Sequence, residues 1–80
     1  MVFLVLSSRG FEVLRKLGYQ SPMWLNSEVL SNSEIEGLRK DGYLLTNFKN
    51  WIDPNDQNAI STAIDTIKQH HPSEVVWVEQ

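Results

Sequence analysis

Few residues in this sequence have the type and spacing for chemistry, and most of them cluster at junctions between apolar runs and helical stretches. Ser7-Ser8-Arg9-Gly10 follows the run Val2–Leu6 directly. Two hydroxyls and a guanidinium at the start of a helix, whose first N–H groups are free and whose dipole is positive there, are suited to a phosphate or a carboxylate. Lys49, in a later loop, would add a second cation. The same serines also have a plain structural use as helix caps. The stretch lacks the lysine and the glycines of a phosphate-binding loop or a dinucleotide fingerprint.

The remaining candidates offer less. Neighbouring residues on a helix point about 100° apart, so His70-His71 cannot chelate one ion, and no histidine pair has the i, i+4 spacing of zinc helices. Next to a helix C-terminus, a histidine is explained by the dipole. No cysteine is present, which removes disulfides, thiolate nucleophiles and thiolate metal ligands. Ten carboxylates are scattered along the chain. Metal-dependent phosphoryl chemistry on an α/β sheet calls for an aspartate at the end of the first strand, where this chain has serine. No acid–base pair can be assembled, so the expectation is a protein that is not an enzyme, with no cofactor and no metal.

The elements that carry these residues follow from periodicity. Apolar runs at Val2–Leu6, Met23–Leu25, Tyr43–Phe48 and Val75–Val78 alternate with three stretches of helical spacing. The pattern reads β-α-β-α-β-α-β in a single domain, residues 1–80, with a small, mostly parallel four-stranded sheet. Ser7 or Ser8 caps the first helix, with Gly18 just beyond its end. Ser31 and Glu34 form a capping box on the second helix, with Leu30 and Ile35 as its hydrophobic staple. Asp53-Pro54 is expected to open the third helix, as N-cap and first residue.

The continuously apolar first strand is expected at the sheet centre. The second is short and preceded by Pro22, which suggests an edge. Right-handed crossovers then favour the flavodoxin-like order 2-1-3-4. In that order one face carries only the first helix, the other carries the second and third, and apolar surface stays bare beside the third and fourth strands. Val75 and Trp77 would lie on one face of the last strand, Val76 and Val78 on the other.

The stretch Ser33–Phe48, SEIEGLRKDGYLLTNF, resembles the corresponding helix-strand of PIN-like ribonuclease folds. The likeness covers about a fifth of the chain, and the acidic positions of that family have no counterpart at Ser7 or Asn47. It implies a related fold with an incomplete acidic site.

Composition narrows the partners. With 41% hydrophobic and 21% charged residues, the chain belongs to the globular class. Its net charge of −3, with seven dispersed basic residues, argues against general nucleic-acid binding. The apolar run near Met1 is five residues long and lacks a basic flank, unlike the ~7–15 apolar residues of a secretion signal. A cytoplasmic protein is expected, with no membrane partner. Two surfaces are candidates for association with a protein partner or a second copy: the bare sheet face with Val75 and Trp77, and the loop Asn47–Asp53 with Phe48 and Trp51. In that loop, Trp51 and Ile52 either serve recognition or tuck under the third helix as core filler.

Overall fold

A computed structural model describes all residues, Met1–Gln80. The elements are β1 (Val2–Val5), α1 (Ser8–Lys16), β2 (Met23–Leu25), α2 (Asn32–Lys40), β3 (Leu45–Asn47), α3 (Gln57–His70) and β4 (Val76–Glu79). The four strands form one sheet, every neighbouring pair is parallel, and the order is β3-β2-β1-β4.

The α/β class and the interior position of β1 agree with the sequence reading, whereas the expected order 2-1-3-4 does not. β2 lies between β1 and β3, and β3 and β4 are the edges. Pro22 does not force an edge because it precedes the strand. Its carbonyl accepts from the Phe3 N–H, and the ladder toward β3 begins one residue later, where the Met23 N–H donates to Leu44. The missing proline N–H therefore falls outside the strand.

This order also redistributes the helices. Steps from β1 to β2 and from β2 to β3 run in the same direction, so right-handed crossovers put α1 and α2 on one face. The step from β3 to β4 runs back past β2 and β1, which puts α3 on the opposite face. The core divides accordingly. Phe3, Val5, Met23, Leu25 and Leu45 meet Phe11 and Leu14 of α1 and Ile35 of α2. Val2, Leu4 and Trp24 meet Ile60, Ala63 and Ile67 of α3. The second helix thus joins the first, not the third.

The helix ends show why these segments are helical. Ser7 caps α1 by accepting from the Gly10 N–H at 3.0 Å. The turn after α1 is closed by Gly18 at φ 77°, a region where a side chain would be strained. At α2 the capping box is complete: Glu34 N–H donates to Ser31 Oγ at 3.2 Å, and Ser31 N–H donates to Glu34 Oε1 at 3.0 Å. α3 begins later than expected, with Asp56 as its N-cap. Asp53 instead closes a turn of its own, accepting from Asn55 N–H on its side chain and from Asp56 N–H on its carbonyl. Pro54 occupies the second position of that turn, where its fixed φ is equally favourable.

The two sheet edges differ. Met23 and Phe48 N–H donate across the β2–β3 pair to Leu44 and Leu25, so Leu44 and Phe48 face β2 and Leu45 faces outward. The Leu45 carbonyl is closed by Arg39 of α2, whose Nη2 and Nε donate to it at 2.7 and 3.2 Å. On β4, Val75 and Glu79 carbonyls accept from Val2 and Leu6 of β1. By alternation the N–H and C=O groups of Val76 and Val78 point outward, and no hydrogen bond of the chain takes them.

Ser31→Ala is expected to cost about 1 kcal/mol in urea unfolding at neutral pH. The Ser31 backbone N–H, and next its hydroxyl, hold the Glu34 carboxyl below its usual 4.5. The folded state then binds this proton less tightly than the unfolded chain. The carboxylate stabilises the fold above about pH 4.5 and loses that effect as pH falls through its lowered value. Glu34→Gln should accordingly flatten part of the acid limb of stability between pH 5 and 3, roughly the carboxylate range; an unchanged acid limb would contradict the assignment.

Candidate functional site

In an open parallel sheet, polar groups from distant segments converge at the C-terminal ends of the strands. That edge is organised here by Asn26, the one polar side chain that is fully buried. It follows β2 directly. Its Nδ2 donates to the carbonyls of Leu6 (3.1 Å) and Ile52 (2.8 Å), and its Oδ1 accepts from the Ile52 N–H at 2.8 Å. One carboxamide thereby ties together the end of β1, the end of β2 and the loop that leads from β3 to α3. The loop after Asn26 folds back on itself, with Glu28 at φ 68° and Val29 buried. Asn26 is not among the residues that the sequence singled out; its one signal is position, an amide directly after a wholly apolar run.

The groups proposed for an anion are arranged around this edge. Ser7 Oγ accepts from Gly10 N–H and donates to the Gln80 carbonyl at 2.9 Å. Ser8 Oγ donates to the Val29 carbonyl at 3.0 Å. Both hydroxyls thus hold neighbouring backbone. Arg9 is exposed. A Cβ on Gly10 would lie 3.2 Å from both the Glu79 carbonyl oxygen and its Cγ, so glycine lets α1 approach the end of β4, and the Glu79 side chain lies against this turn. Lys49 follows β3, two strands from β1, or about 10 Å at the usual spacing. The structure brings Ser7, Ser8, Arg9 and Gly10 together and leaves Lys49 apart.

The four residues proposed for association separate into two places. Phe48 packs on Trp24 with ring centroids 5.4 Å apart, on the α3 face. Beside it the two readings of the loop divide between two residues: Ile52 is buried in the core and Trp51 is 57% exposed. Val75 and Trp77 lie on the other face. Trp77 is in register with Phe3, so it shares the face that α1 and α2 cover over the other strands. Neither helix covers this part of β4: Val75 is 68% and Trp77 52% exposed. Next to them are Leu17, 66% exposed, and Tyr19, which packs on Phe3 at 5.2 Å. Met1, Phe3, Leu14, Leu17, Tyr19 and Trp77 line a cleft of about 150 Å³, with Glu79 at its rim. The Trp77 indole N–H donates to Glu79 Oε1 at 3.3 Å. The contributions of Met1, Leu17 and Tyr19 were not anticipated, because Leu17 continues the apolar stripe of α1 and reads as core.

The titratable groups near α3 form a local cluster. His70 and His71 lie against the Trp24 ring, with centroids 5.2 and 6.3 Å away. His71 Nδ1 is 3.1 Å from Glu74 Oε2, and the Met1 amine donates to Glu74 Oε1 at 2.9 Å. The bond from the amine is the main reason that the Glu74 carboxyl is held below its usual range. No group of three or more His, Asp or Glu side chains is placed to hold a metal ion. No helix is long and apolar enough to cross a membrane. Comparison with protein-family models, curated proteins and solved structures finds no match.

Two stability predictions follow from this geometry. Asn26→Ala leaves the Leu6 carbonyl and both Ile52 backbone groups without partners and should cost about 3 kcal/mol or more; a loss under about 1 kcal/mol in urea unfolding would deny Asn26 its anchoring role. Ile52→Ala should cost about 2–5 kcal/mol, whereas Trp51→Ala, at an exposed position, should change stability by about 0.5 kcal/mol or less. Equal costs would place both side chains in the core.

Proposed function

We propose that the protein is a small cytoplasmic interaction module that self-associates through the sheet face left open beside α1. The observation that carries this reading is the half-exposed Trp77, on the face of β4 opposite α3, where it lines an apolar cleft with Met1, Leu17 and Tyr19 while Val75 is exposed on the same face. Scattered exposed apolar residues need no explanation, but a contiguous patch around a cleft does. The exposed parts of these five residues come to on the order of 500 Å², so two copies that covered them fully would bury at most about 1,000 Å², the lower limit of a specific interface. That area corresponds to a reversible dimer of modest affinity.

Tryptophan at the centre of such a patch is the residue type that dominates association energies. Sedimentation velocity over rising protein concentration should show a monomer–dimer equilibrium. Trp77→Ser should abolish it while changing unfolding free energy by no more than about 1 kcal/mol. A wild-type protein that stays monomeric up to millimolar concentration would overturn the reading. So would a Trp77→Ser variant that self-associates as well as the wild type.

A further inference from the structure

The proposal of self-association leaves its geometry open, and the backbone of β4 narrows it. We infer that two copies join edge to edge, with β4 pairing antiparallel to β4 of the second copy about a two-fold axis at Trp77, so that two four-stranded sheets become one of eight strands. This inference rests on the self-association reading and adds the pairing mode to it: the two open faces lie side by side on one surface of the joined sheet and meet at Trp77, so only the part of each patch next to β4 is covered.

Three observations favour this arrangement. The first is the contrast between the edges. At β3 Asn47 also faces outward, but the Arg39 guanidinium occupies the Leu45 carbonyl and places a cation on that edge. At β4 the N–H and C=O of Val76 and Val78 face outward and unpaired, on a strand with no proline, lysine or arginine to blunt it. The second is the sequence Val76-Trp77-Val78, which reads the same in both directions. Under a two-fold axis at Trp77, Val76 lies opposite Val78 of the second copy. Both are outward-facing, so each of the two Val76–Val78 pairs exchanges two hydrogen bonds. All four fall within β4. Moving the axis to Val76 would instead need the Glu74 N–H, which already donates to the His71 carbonyl.

The third is charge. The chain is acidic, and an interface between two copies must keep like charges apart. With the axis at Trp77, Glu79 lies opposite Val75 of the second copy. The two Glu79 residues sit at opposite ends of the ladder, about 14 Å apart along the strands, beyond the ~8–10 Å over which salt leaves charges interacting. Glu74, already paired with the Met1 amine, falls opposite Gln80, whose side chain is uncharged. The two Trp77 rings form the non-hydrogen-bonded central pair, where side chains approach most closely. They project on one face, into the groove that Leu17 and Tyr19 border in each copy.

The test reads the backbone directly. Amide hydrogen exchange of the wild-type protein is measured by NMR at low and at high protein concentration. The Val76 and Val78 amides should exchange at least about tenfold more slowly in the dimer, as two bonds of about 1 kcal/mol per copy require. Val78→Pro removes an outward N–H that the monomer does not use, at a position where an edge strand tolerates proline. It should weaken dimerisation by about tenfold or more for the same reason. If that variant does not fold, the wild-type exchange rates decide. A dimer that Trp77→Ser disrupts, but in which Val76 and Val78 exchange as fast as in the monomer, overturns edge pairing and leaves association through the open face standing. A protein that never dimerises overturns both.

Discussion

The fold depends on a single buried carboxamide. Asn26 is surrounded by apolar side chains, and its three hydrogen bonds reach Leu6 and Ile52 at the crest of the sheet. A buried amide is costly unless its donors and acceptor are matched, and here they are matched by backbone groups that would otherwise lack partners. The consequence extends beyond that position. The segment from Phe48 to Asp56 must carry the chain from the end of β3 onto the face opposite α1 and α2, and Ile52 is where it is pinned. Once pinned, the segment delivers Asp56 to cap α3 on the face opposite α1 and α2. α3 then returns the chain past β2 and β1, and β4 can only add beside β1.

The parts of the fold that were legible in the sequence are those governed by local physics. Ser7 and Ser31 were readable as caps because each bonds to an N–H three residues away. The burial of β1 followed from its unbroken apolar run. Strand order was not readable in the same way. β2 looks like an edge by length and by Pro22, yet β3 is as short and carries polar Thr46 and Asn47 on exposed positions. Three residues leave too little pattern to rank two strands. The start of α3 was misread because Asp53-Pro54 and Asp56 offer two cap-like signals three residues apart. Which one starts the helix is decided by where Asn26 holds Ile52, an interaction across 26 residues.

The candidate surface was partly legible for a similar reason. Alternation alone put Val75 and Trp77 on one side of the last strand, and the structure keeps them together and exposed. The reason for their exposure differs from the one first inferred. Helices α1 and α2 share that face, but both cover strands on the β2 and β3 side of β1. Leu17 and Tyr19 belong to the same surface only because the turn at Gly18 brings the chain back over Phe3, which no spacing rule within α1 could show. Phe48 and Trp51, equally aromatic, lie on the other face, where Phe48 packs on Trp24 and the exposed Trp51 borders a cleft with Ile52 and Ala59.

The guanidinium of Arg39 has a meaning for assembly as well as for the fold. A flat sheet with two open margins is a monomer unit for a fibre, since each addition exposes a fresh margin identical to the last. Here one margin carries its own stopper, held by two hydrogen bonds to a single carbonyl. If the strand that joins the other margin is β4 of a second copy, both outer margins are then β3, each with a guanidinium on its Leu45 carbonyl. In the proposed dimer this asymmetry between the margins would turn an aggregation hazard into a count of two.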